Sequence, residues 1–335
     1  MMAENRLLAQ LERNQCILCG EGYLFELERR GYVQIGPFVP EVVLNAPEAV
    51  KELHRELVRC GSDVVEAFTY YAHRTKLRLI GQEDQLEKLN RQAIQIAKQV
   101  AGEFPDSNLL VAANICNTTV FDPASLESQD LVRSMYEEQI QYAVEEQVDF
   151  VIAETFGYLS EAKIALQVIK SAELPVVVTM SIHRKPYTQE GVPIAQALNE
   201  LKAAGADIVG VNCARGPQSM LELFEREIIG KVQPPLAALP VGYRTTRDKP
   251  TMQMLSSRTS LYSDLDCFQC TRQDFAAFAE KAFSLGIKYL GTCCGAGPHH
   301  LRAMAEALNR TTAASQFSPD LSKHFAFGSE TGFFG

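Results

Sequence analysis

Two adjacent cysteines, Cys293 and Cys294, close an apolar segment and open a glycine-rich turn, in the sequence Tyr-Leu-Gly-Thr-Cys-Cys-Gly-Ala-Gly-Pro over residues 289–298. A similar apolar segment earlier in the chain, Asp-Ile-Val-Gly-Val-Asn, ends on Cys213. Successive side chains of a strand point to opposite faces, so neighbouring thiols converge only where the chain leaves the strand, and glycine permits that bend. Three thiolates at strand ends predict a zinc site whose fourth position stays open, which is typical of catalytic zinc.

The alternative interpretation of any one of these cysteines is a small buried apolar side chain. Three cysteines that all stand at predicted strand ends favour the metal site over that alternative. A further pair, Cys267 and Cys270, has Cys-x-x-Cys spacing. No second pair accompanies it, so neither a structural zinc nor a redox role is predicted there.

The composition places the chain among globular enzymes. Its 335 residues are 46% hydrophobic, enough for a large core, and its formal net charge is -9. The first residues lack the apolar run of a signal peptide and no stretch is apolar enough to span a bilayer, so we predict a cytoplasmic protein without a membrane partner. In that reducing compartment cysteines are thiols or metal ligands. The acidic balance without a basic run also argues against nucleic acid as a partner.

Short apolar segments alternate with amphipathic ones along the chain, which predicts parallel βα units. The predicted strands span residues 16–19, 63–68, 109–114, 149–153, 175–180, 207–211, 236–239 and 288–290, and helices include 47–60, 86–100, 131–146, 160–171 and 193–204. Eight such units close into a single-domain (β/α)8 TIM barrel, predicted over residues 1–311 with a short irregular tail over 312–335. The alternative, an open doubly wound sheet for a dinucleotide, lacks the Gly-x-Gly-x-x-Gly fingerprint after its first strand.

The carboxyl ends of barrel strands carry the catalytic groups of this fold, so the residues that end each predicted strand form one candidate site. They are Gly20-Glu21-Gly22 after strand one, Phe68-Thr69-Tyr70-Tyr71 after strand two, Asn114 at strand three, Glu154-Thr155-Phe156 after strand four, Asn212-Cys213 after strand six and Cys293-Cys294 after strand eight. Thiols, carboxylates and aromatic rings thus share one predicted barrel mouth. Strands six and eight lie close around the ring, so one metal can join Cys213 to the cysteine pair.

Seven motifs extend the pattern beyond the cysteines. They are Leu-Phe-Glu-Leu-Glu-Arg-Arg-Gly-Tyr (24–32), Gly-Pro-Phe-Val-Pro-Glu (36–41), Pro-Glu-Ala-Val-Lys-Glu-Leu-His-Arg-Glu (47–56), Phe-Thr-Tyr-Tyr-Ala (68–72), Ile-Ala-Glu-Thr-Phe (152–156), Gly-Val-Asn-Cys (210–213) and Gly-Thr-Cys-Cys-Gly (291–295). Together they resemble the homocysteine S-methyltransferase family, most closely its betaine-using members. The resemblance implies that Cys213, Cys293 and Cys294 bind zinc. It also implies that Glu154 helps to hold the amino acid substrate and that Tyr71 lies near the methyl donor.

The reaction that the resemblance implies uses zinc to make a nucleophile. A free thiol with a pKa of about 8.5 is mostly protonated at pH 7, whereas a metal-bound thiol is deprotonated, so zinc would hold homocysteine as its thiolate. Glu154, with Glu21, is predicted to accept hydrogen bonds from the ammonium group of homocysteine, and Gly22 in the same turn is predicted to contact substrate. Phe38 and Tyr71 are predicted to face the cation of the donor, with about 0.5 to 2 kcal/mol of cation–π attraction per ring.

The chain departs from the family pattern at four places. The usual aspartate of the first turn is Gly20, and the acid follows one residue later as Glu21. Phe38 replaces a tryptophan of the donor side. Thr155 replaces a tyrosine after the strand-four glutamate, so water is the predicted resting ligand of the zinc. The segment after Arg310 is shorter than the family's dimerisation arm, which predicts at most a weak homo-oligomer.

Betaine is the donor that the resemblance favours, and two alternatives stay open. The first is an enzyme of the same fold that uses a sulfonium donor: dimethylsulfonioacetate, dimethylsulfoniopropionate or S-methylmethionine. The second is a non-catalytic barrel that binds zinc or a ligand.

Overall fold

Eight parallel strands close into a barrel in chain order, with the last strand paired to the first. The computed structural model describes residues 5–34, 36–255 and 265–317. The strands are β1 (Ile17–Gly20), β2 (Val64–Glu66), β3 (Leu110–Cys116), β4 (Phe150–Phe156), β5 (Val176–Met180), β6 (Ile208–Asn212), β7 (Leu236–Leu239) and β8 (Tyr289–Thr292). The prediction of a single-domain (β/α)8 barrel is confirmed, and the open doubly wound sheet is excluded.

Helices surround the barrel, and those predicted from periodicity are present. Within the described residues the α-helices are α1 (Arg6–Asn14), α2 (Tyr23–Arg29), α3 (Val42–Asn45), α4 (Pro47–Arg59), α5 (Arg74–Arg78), α6 (Leu86–Gly102), α7 (Leu126–Glu145), α8 (Leu159–Ser171), α9 (Ile194–Ala203), α10 (Pro217–Leu223), α11 (Arg272–Ser284) and α12 (Pro298–Ala307). Helix α7 starts five residues before its predicted start because Ser125 caps it, accepting a hydrogen bond from Ser128 N at 3.2 Å. None of these helices is long and apolar enough to cross a membrane.

The barrel interior is apolar near its amino end and polar at its carboxyl end. In four strands, apolar residues near the amino end are followed on the same face by a polar residue near the carboxyl end. The residues are Val64 and Glu66 in β2; Leu110, Ala112 and Asn114 in β3; Phe150, Ile152 and Glu154 in β4; and Ile208 and Asn212 in β6. Every second side chain of a strand faces the same side, so these polar residues face the same interior as the apolar cluster below them. The fold thereby places buried carboxylates and amides at the mouth of the barrel.

Strands β3 and β4 extend further than predicted. The sequence pattern places Asn114 and Glu154 at strand ends, but β3 continues to Cys116 and β4 to Phe156. Cys116 pairs with Glu154 in the register of the two strands. A polar side chain inside the barrel therefore does not end the strand, because the backbone on either side still pairs with its neighbours. Strand β2, in contrast, ends at residue 66, two residues before its predicted end.

Helix α1 closes the amino end of the barrel. Leu7 and Leu11 belong to the apolar cluster inside the strands. Asn5 caps the helix by accepting a hydrogen bond from Leu8 N at 3.1 Å, and Arg6 forms an ion pair with Asp149. The carboxyl end is left as the open end of the barrel.

The segment after α12 returns to the barrel wall. Arg310 Nη1 lies 2.6 Å from Asp63 Oδ2, and a short 3-10 helix follows over Ala313–Phe317. The tail predicted over 312–335 is thus described only to residue 317. The remainder of that prediction lies outside the described residues.

Candidate metal centre and substrate site

Cys213, Cys293 and Cys294 converge at the barrel mouth although they follow two different strands. The Sγ atoms of Cys213 and Cys294 are 3.6 Å apart, and those of Cys293 and Cys294 are 4.0 Å apart. All three sulfur atoms lie within 4.8 Å of one another. Zinc bonds thiolate sulfur at about 2.3 Å with tetrahedral angles, which separates neighbouring sulfur atoms by about 3.8 Å. The three thiols therefore stand near the spacing that one zinc ion requires.

The end of β7 fixes both cysteine turns. Leu239 O accepts a hydrogen bond from Cys213 N at 3.0 Å, and the next carbonyl, Pro240 O, accepts one from Cys293 N at 2.9 Å. Cys213 has a left-handed backbone with φ of 56°, a conformation that costs of order 1 kcal/mol or more for a residue other than glycine. Such strain persists only where surrounding contacts hold it. The hydrogen bonds to β7 supply that restraint.

Two glycines allow the turns to approach each other closely. Gly22 has φ of 98°, and a Cβ atom there would lie 2.7 Å from the carbonyl oxygen of Cys293. Gly295 has φ of 79°, and its Cβ would lie 2.4 Å from the ring of Tyr243. The structure thus places Gly22 against the backbone of a cysteine turn, where a larger residue would clash.

The three thiols change one another's acidity. Hydrogen bonding with Cys293, and then with Cys294, holds the pKa of Cys213 well below its usual value. The pKa values of Cys293 and Cys294 are raised in return, above all by their hydrogen bonds with Cys213. The cluster therefore favours one thiolate on its own, and a bound cation would favour the thiolate form of all three.

Behind the thiols, carboxylates line a small chamber of about 40 Å³. Its carboxylates belong to Glu21, Glu66 and Glu154. Each of these residues is at most 5% exposed. Asn114 Nδ2 donates to Glu66 Oε1 at 2.5 Å and to Glu154 Oε1 at 2.7 Å. The Oε2 atoms of Glu21 and Glu66 have no hydrogen-bond partner in the described part of the chain. Because buried polar atoms are normally paired, these two oxygen atoms remain for a ligand.

Asn212 connects the carboxylate chamber to the metal centre. Its Nδ2 donates to Glu154 Oε2 at 2.5 Å and lies 4.0 Å from Cys293 Sγ. Its Oδ1 accepts hydrogen bonds from Thr155 N at 2.9 Å and from Thr179 Oγ1 at 3.0 Å. The hydroxyl of Thr155 also donates to Glu154 Oε2 at 2.9 Å. Glu154 is thus held in one orientation beside the cysteines.

The crowding of these acids makes them hard to ionise. Burial raises the pKa of Glu154 to about 7. Burial, followed by repulsion from Glu154, raises the pKa values of Glu21 and Glu66 well above their usual range. A cation placed between them would favour the ionised forms. The chamber is therefore suited to a positively charged group.

Glu66 is the chamber residue that sequence reasoning missed. It falls inside the apolar run that predicts a strand over residues 63–68, and the sequence pattern does not single it out as a site residue. The available signal is its spacing from Val64, because two residues along a strand return to the same face. The sequence places Asn212 correctly at a strand end, but it does not predict the hydrogen bond from Asn212 to Glu154.

A second, larger cavity of about 540 Å³ opens outward from the thiols. Its aromatic lining consists of Phe25, Phe38, Tyr70, Tyr71, Phe121 and Tyr158. Cys213 and Cys294 line both this cavity and the inner chamber. The two thiols therefore stand at the junction between a carboxylate-lined space and an aromatic one.

The two aromatic residues predicted on the donor side, Phe38 and Tyr71, have different surroundings. Phe38 stacks on Phe25 with ring centroids 6.3 Å apart and planes 16° apart. Tyr71 packs against Tyr70 at 4.4 Å between centroids, and Lys76 Nζ lies 4.1 Å from the centre of the Tyr71 ring. Part of the Tyr71 ring already binds a protein cation, so only its remaining surface is available to a ligand.

Fold and site together define a class of protein: a (β/α)8 barrel enzyme with a three-thiol centre and buried carboxylates at its carboxyl end. The sequence profile described as homocysteine S-methyltransferase matches residues 17–308. The chain belongs to the homocysteine S-methyltransferase family and is an enzyme of that family.

The alignments with individual relatives cover nearly the whole chain. Betaine–homocysteine S-methyltransferase 1 of Mus musculus is 33% identical over 335 residues, covering 98% of this chain and 80% of the relative. The S-methylmethionine–homocysteine S-methyltransferase of Pongo abelii is also 33% identical, over 339 residues, covering 98% of this chain and 87% of the relative. The crystal structure of the metallated homocysteine methyltransferase MmuM of Escherichia coli shares the fold, with a TM-score of 0.71 at 17% identity, covering 90% of this chain and 99% of that one.

Proposed function

We propose that this enzyme depends on zinc and transfers a methyl group from an onium donor, with betaine favoured, to the sulfur of homocysteine, giving methionine. The observation that carries the proposal is the junction of two cavities at the thiols. The inner chamber offers carboxylates to an ammonium group, and the outer cavity offers aromatic rings to an onium cation. Acceptor and donor would meet at that junction.

Cys213, Cys293 and Cys294 are the proposed zinc ligands, and the spacing of their sulfur atoms supports this role. When bound, zinc would keep the sulfur of homocysteine as a thiolate at neutral pH. Thr155 lines the same junction and is not a usual zinc ligand. Water is therefore our proposed fourth ligand in the absence of substrate.

Glu154, together with Glu21, is the proposed binding site for the ammonium group of homocysteine. Asn114 and Asn212 each hold one oxygen of Glu154, so the carboxylate is oriented before substrate arrives. Charge-assisted hydrogen bonds between an ammonium group and carboxylates are about twice as strong as neutral ones. Holding the amino end in place would direct the sulfur end toward the cysteines.

Phe38 and Tyr71 are the proposed contacts of the donor cation. In the transfer, a carbon–sulfur bond forms to homocysteine while the bond from the methyl carbon to the onium nitrogen or sulfur breaks, and a neutral amine or sulfide leaves. Attack of an anion on a cation disperses both charges, so an aromatic cavity that excludes water favours the transition state. The aromatic lining of the outer cavity supports this role.

A sulfonium donor is the second candidate. The betaine-named and S-methylmethionine-named relatives are equally similar to this chain, at 33% identity each. The outer cavity, at about 540 Å³, also has room for a donor larger than betaine. We further propose a cytoplasmic location, no nucleic-acid or membrane partner, and at most weak self-association, which light scattering after size-exclusion chromatography checks.

A panel of donors tests the proposed function. Zinc-loaded protein is incubated with homocysteine and, separately, betaine, dimethylsulfonioacetate, dimethylsulfoniopropionate or S-methylmethionine, and methionine is measured by mass spectrometry. We expect methionine from at least one donor, with betaine giving the highest rate, and none from the Cys293→Ala variant. Stoichiometric zinc without methionine from any donor would instead favour a non-catalytic binding barrel.

A further inference from the structure

A third cavity, of about 580 Å³, adjoins the outer end of the aromatic one. Its lining residues all belong to segment 181–191, which lies between β5 and α9 and which we call the rim loop. Ser181, His183 and Gln189 line both this cavity and the aromatic one, so the two form one continuous cleft. Arg184 and Lys185 also line the outer part. The cleft thus runs from the thiols to a pair of cations.

The charges along this cleft are separated by sign. The inner chamber and the aromatic cavity are lined by Glu21, Glu66, Glu154 and Glu161 and by the cysteines, and their described lining includes no lysine or arginine. A bound onium group would favour the ionised forms of these acids and would then be attracted to them. A carboxylate attached to it would be repelled from the interior and needs a cation farther out.

Arg184 and Lys185 are available for that task. Within residues 5–34, 36–255 and 265–317, neither side chain forms an ion pair or a hydrogen bond, and both are exposed. Glu190, the acidic residue of the same loop, is engaged elsewhere. Its carboxylate accepts hydrogen bonds from the backbone N–H groups of Leu159 and Ser160 at the start of α8. Glu190 is thus turned toward α8, and it forms no ion pair with Arg184 or Lys185 in the described part of the chain.

Arg215 fixes the rim loop to the metal centre. Its guanidinium is buried, two residues after Cys213, and donates to three successive carbonyl groups of the loop. Nε lies 2.9 Å from Ile182 O and Nη2 lies 3.3 Å from Arg184 O. The loop that carries the cations is thereby held at a set position relative to the cysteine turn.

We propose that the rim loop is an anion subsite that binds the carboxylate of the methyl donor through Arg184 and Lys185, with Arg215 as the residue that positions the loop. The subsite makes the enzyme selective for donors that carry a carboxylate beside the onium group. This inference rests on the proposed function, because it assumes an onium donor in the aromatic cavity.

Charge reversal tests the subsite. The double variant Arg184→Glu/Lys185→Glu is compared with the unchanged protein in binding of betaine and of choline by calorimetry, and in methyl transfer from dimethylsulfoniopropionate and from trimethylsulfonium. Choline and trimethylsulfonium keep the onium group but lack the carboxylate. We expect affinity for betaine, and kcat/KM for dimethylsulfoniopropionate, to fall about tenfold, because a few-fold attraction per exposed pair is replaced by repulsion. The values for choline and trimethylsulfonium stay the same or improve.

A matched control carries the same change of net charge elsewhere. Arg13→Glu/Lys88→Glu replaces one exposed arginine and one exposed lysine on α1 and α6, and it should leave the preference for carboxylate donors unchanged. Equal losses for donors with and without a carboxylate, or equal effects of the two double variants, would overturn the subsite. Absence of methyl transfer by the unchanged protein from every donor would overturn the proposed function instead, and the comparison of betaine with choline would still decide the anion subsite.

Discussion

The side-chain amide of Asn212 donates a hydrogen bond of 2.5 Å to Glu154 Oε2. Asn212 immediately precedes Cys213, so the carboxylate assigned to the amino end of homocysteine is joined to the backbone that carries a proposed zinc ligand. The position of the ammonium group and the position of the metal are therefore set by the same turn. A shift of either would move the acceptor sulfur out of line with the donor.

Replacing Cys293 by Ala should remove zinc and methyl transfer together, because two sulfur atoms are too few to retain the ion in a site of this kind. Zinc content is measured by plasma mass spectrometry after dialysis. The variant should keep a cooperative thermal transition, since the apolar barrel core lies below the site. Cys267→Ala, which changes an exposed cysteine, is the control and should retain zinc. Full zinc retention in Cys293→Ala would contradict the assignment of Cys293 as a zinc ligand.

Glu154→Ala should keep zinc but lose use of homocysteine. Loss of a hydrogen bond to a charged group costs about 1.5 to 3 kcal/mol, which corresponds to roughly a 10- to 150-fold decrease in kcat/KM for homocysteine. Steady-state kinetics at saturating donor, with zinc content measured on the same sample, checks both parts. An unchanged kcat/KM for homocysteine would contradict the assigned role.

Glu66→Gln should weaken discrimination between homocysteine and 4-mercaptobutanoate, an acceptor without the amino group. Glutamine keeps the size of the side chain and an oxygen atom for Asn114, but it cannot become the carboxylate that a bound ammonium group would favour. We expect the ratio of kcat/KM values for the two acceptors to fall by roughly 10- to 150-fold, the equivalent of about 1.5 to 3 kcal/mol for one charged hydrogen bond. If both acceptors change by the same factor, Glu66 only supports the barrel.

Phe38→Leu should weaken binding of an onium donor by about 0.5 to 2 kcal/mol, because leucine keeps apolar bulk but lacks the electron-rich ring face. The affinity for homocysteine should stay nearly unchanged. Phe38→Trp should strengthen betaine binding, since tryptophan is the best cation–π partner. The measurement is the KM of each donor for the three proteins. If neither substitution changes the KM of any onium donor, Phe38 has a packing role only.

The buried His54 should contribute a loss of stability in mild acid. Its Nδ1 lies 3.2 Å from the hydroxyl of Tyr23, its Nε2 has no partner in the described part of the chain, and burial lowers its pKa from 6.5 to about 3. Between these values the imidazole of His54 binds a proton in the unfolded chain but not in the folded one, so the contribution of His54 to stability decreases as pH falls. The slope is about 1.4 kcal/mol per pH unit for one such group.

His54→Phe isolates this effect from the other titrating groups. The free energy of unfolding of each protein is measured in urea between pH 7 and pH 4.5. We expect the stability of the unchanged protein, measured relative to that of the variant, to decrease once the pH falls below about 6.5. Parallel curves for the two proteins would show that His54 is protonated equally in both states.

The strands and the cysteines could be predicted from sequence because their signals are local. Apolar runs give the strands, and Cys213 and the pair at 293–294 follow such runs directly. Glu66 was not recognised because a single acid inside an apolar run gives no local sign of facing the barrel interior. Arg215 was missed for another reason: its partners are backbone carbonyls more than 30 residues away, and only the closed barrel brings them together.

X-ray absorption at the zinc edge tests the central claim most directly, because it counts the sulfur atoms bound to the metal. The zinc-loaded protein should show three sulfur ligands and one lighter atom, from Cys213, Cys293, Cys294 and water. Addition of homocysteine should change this to four sulfur ligands at about 2.3 Å. A sulfur count that stays at three with saturating homocysteine would contradict the account, because the acceptor sulfur would then react away from the metal.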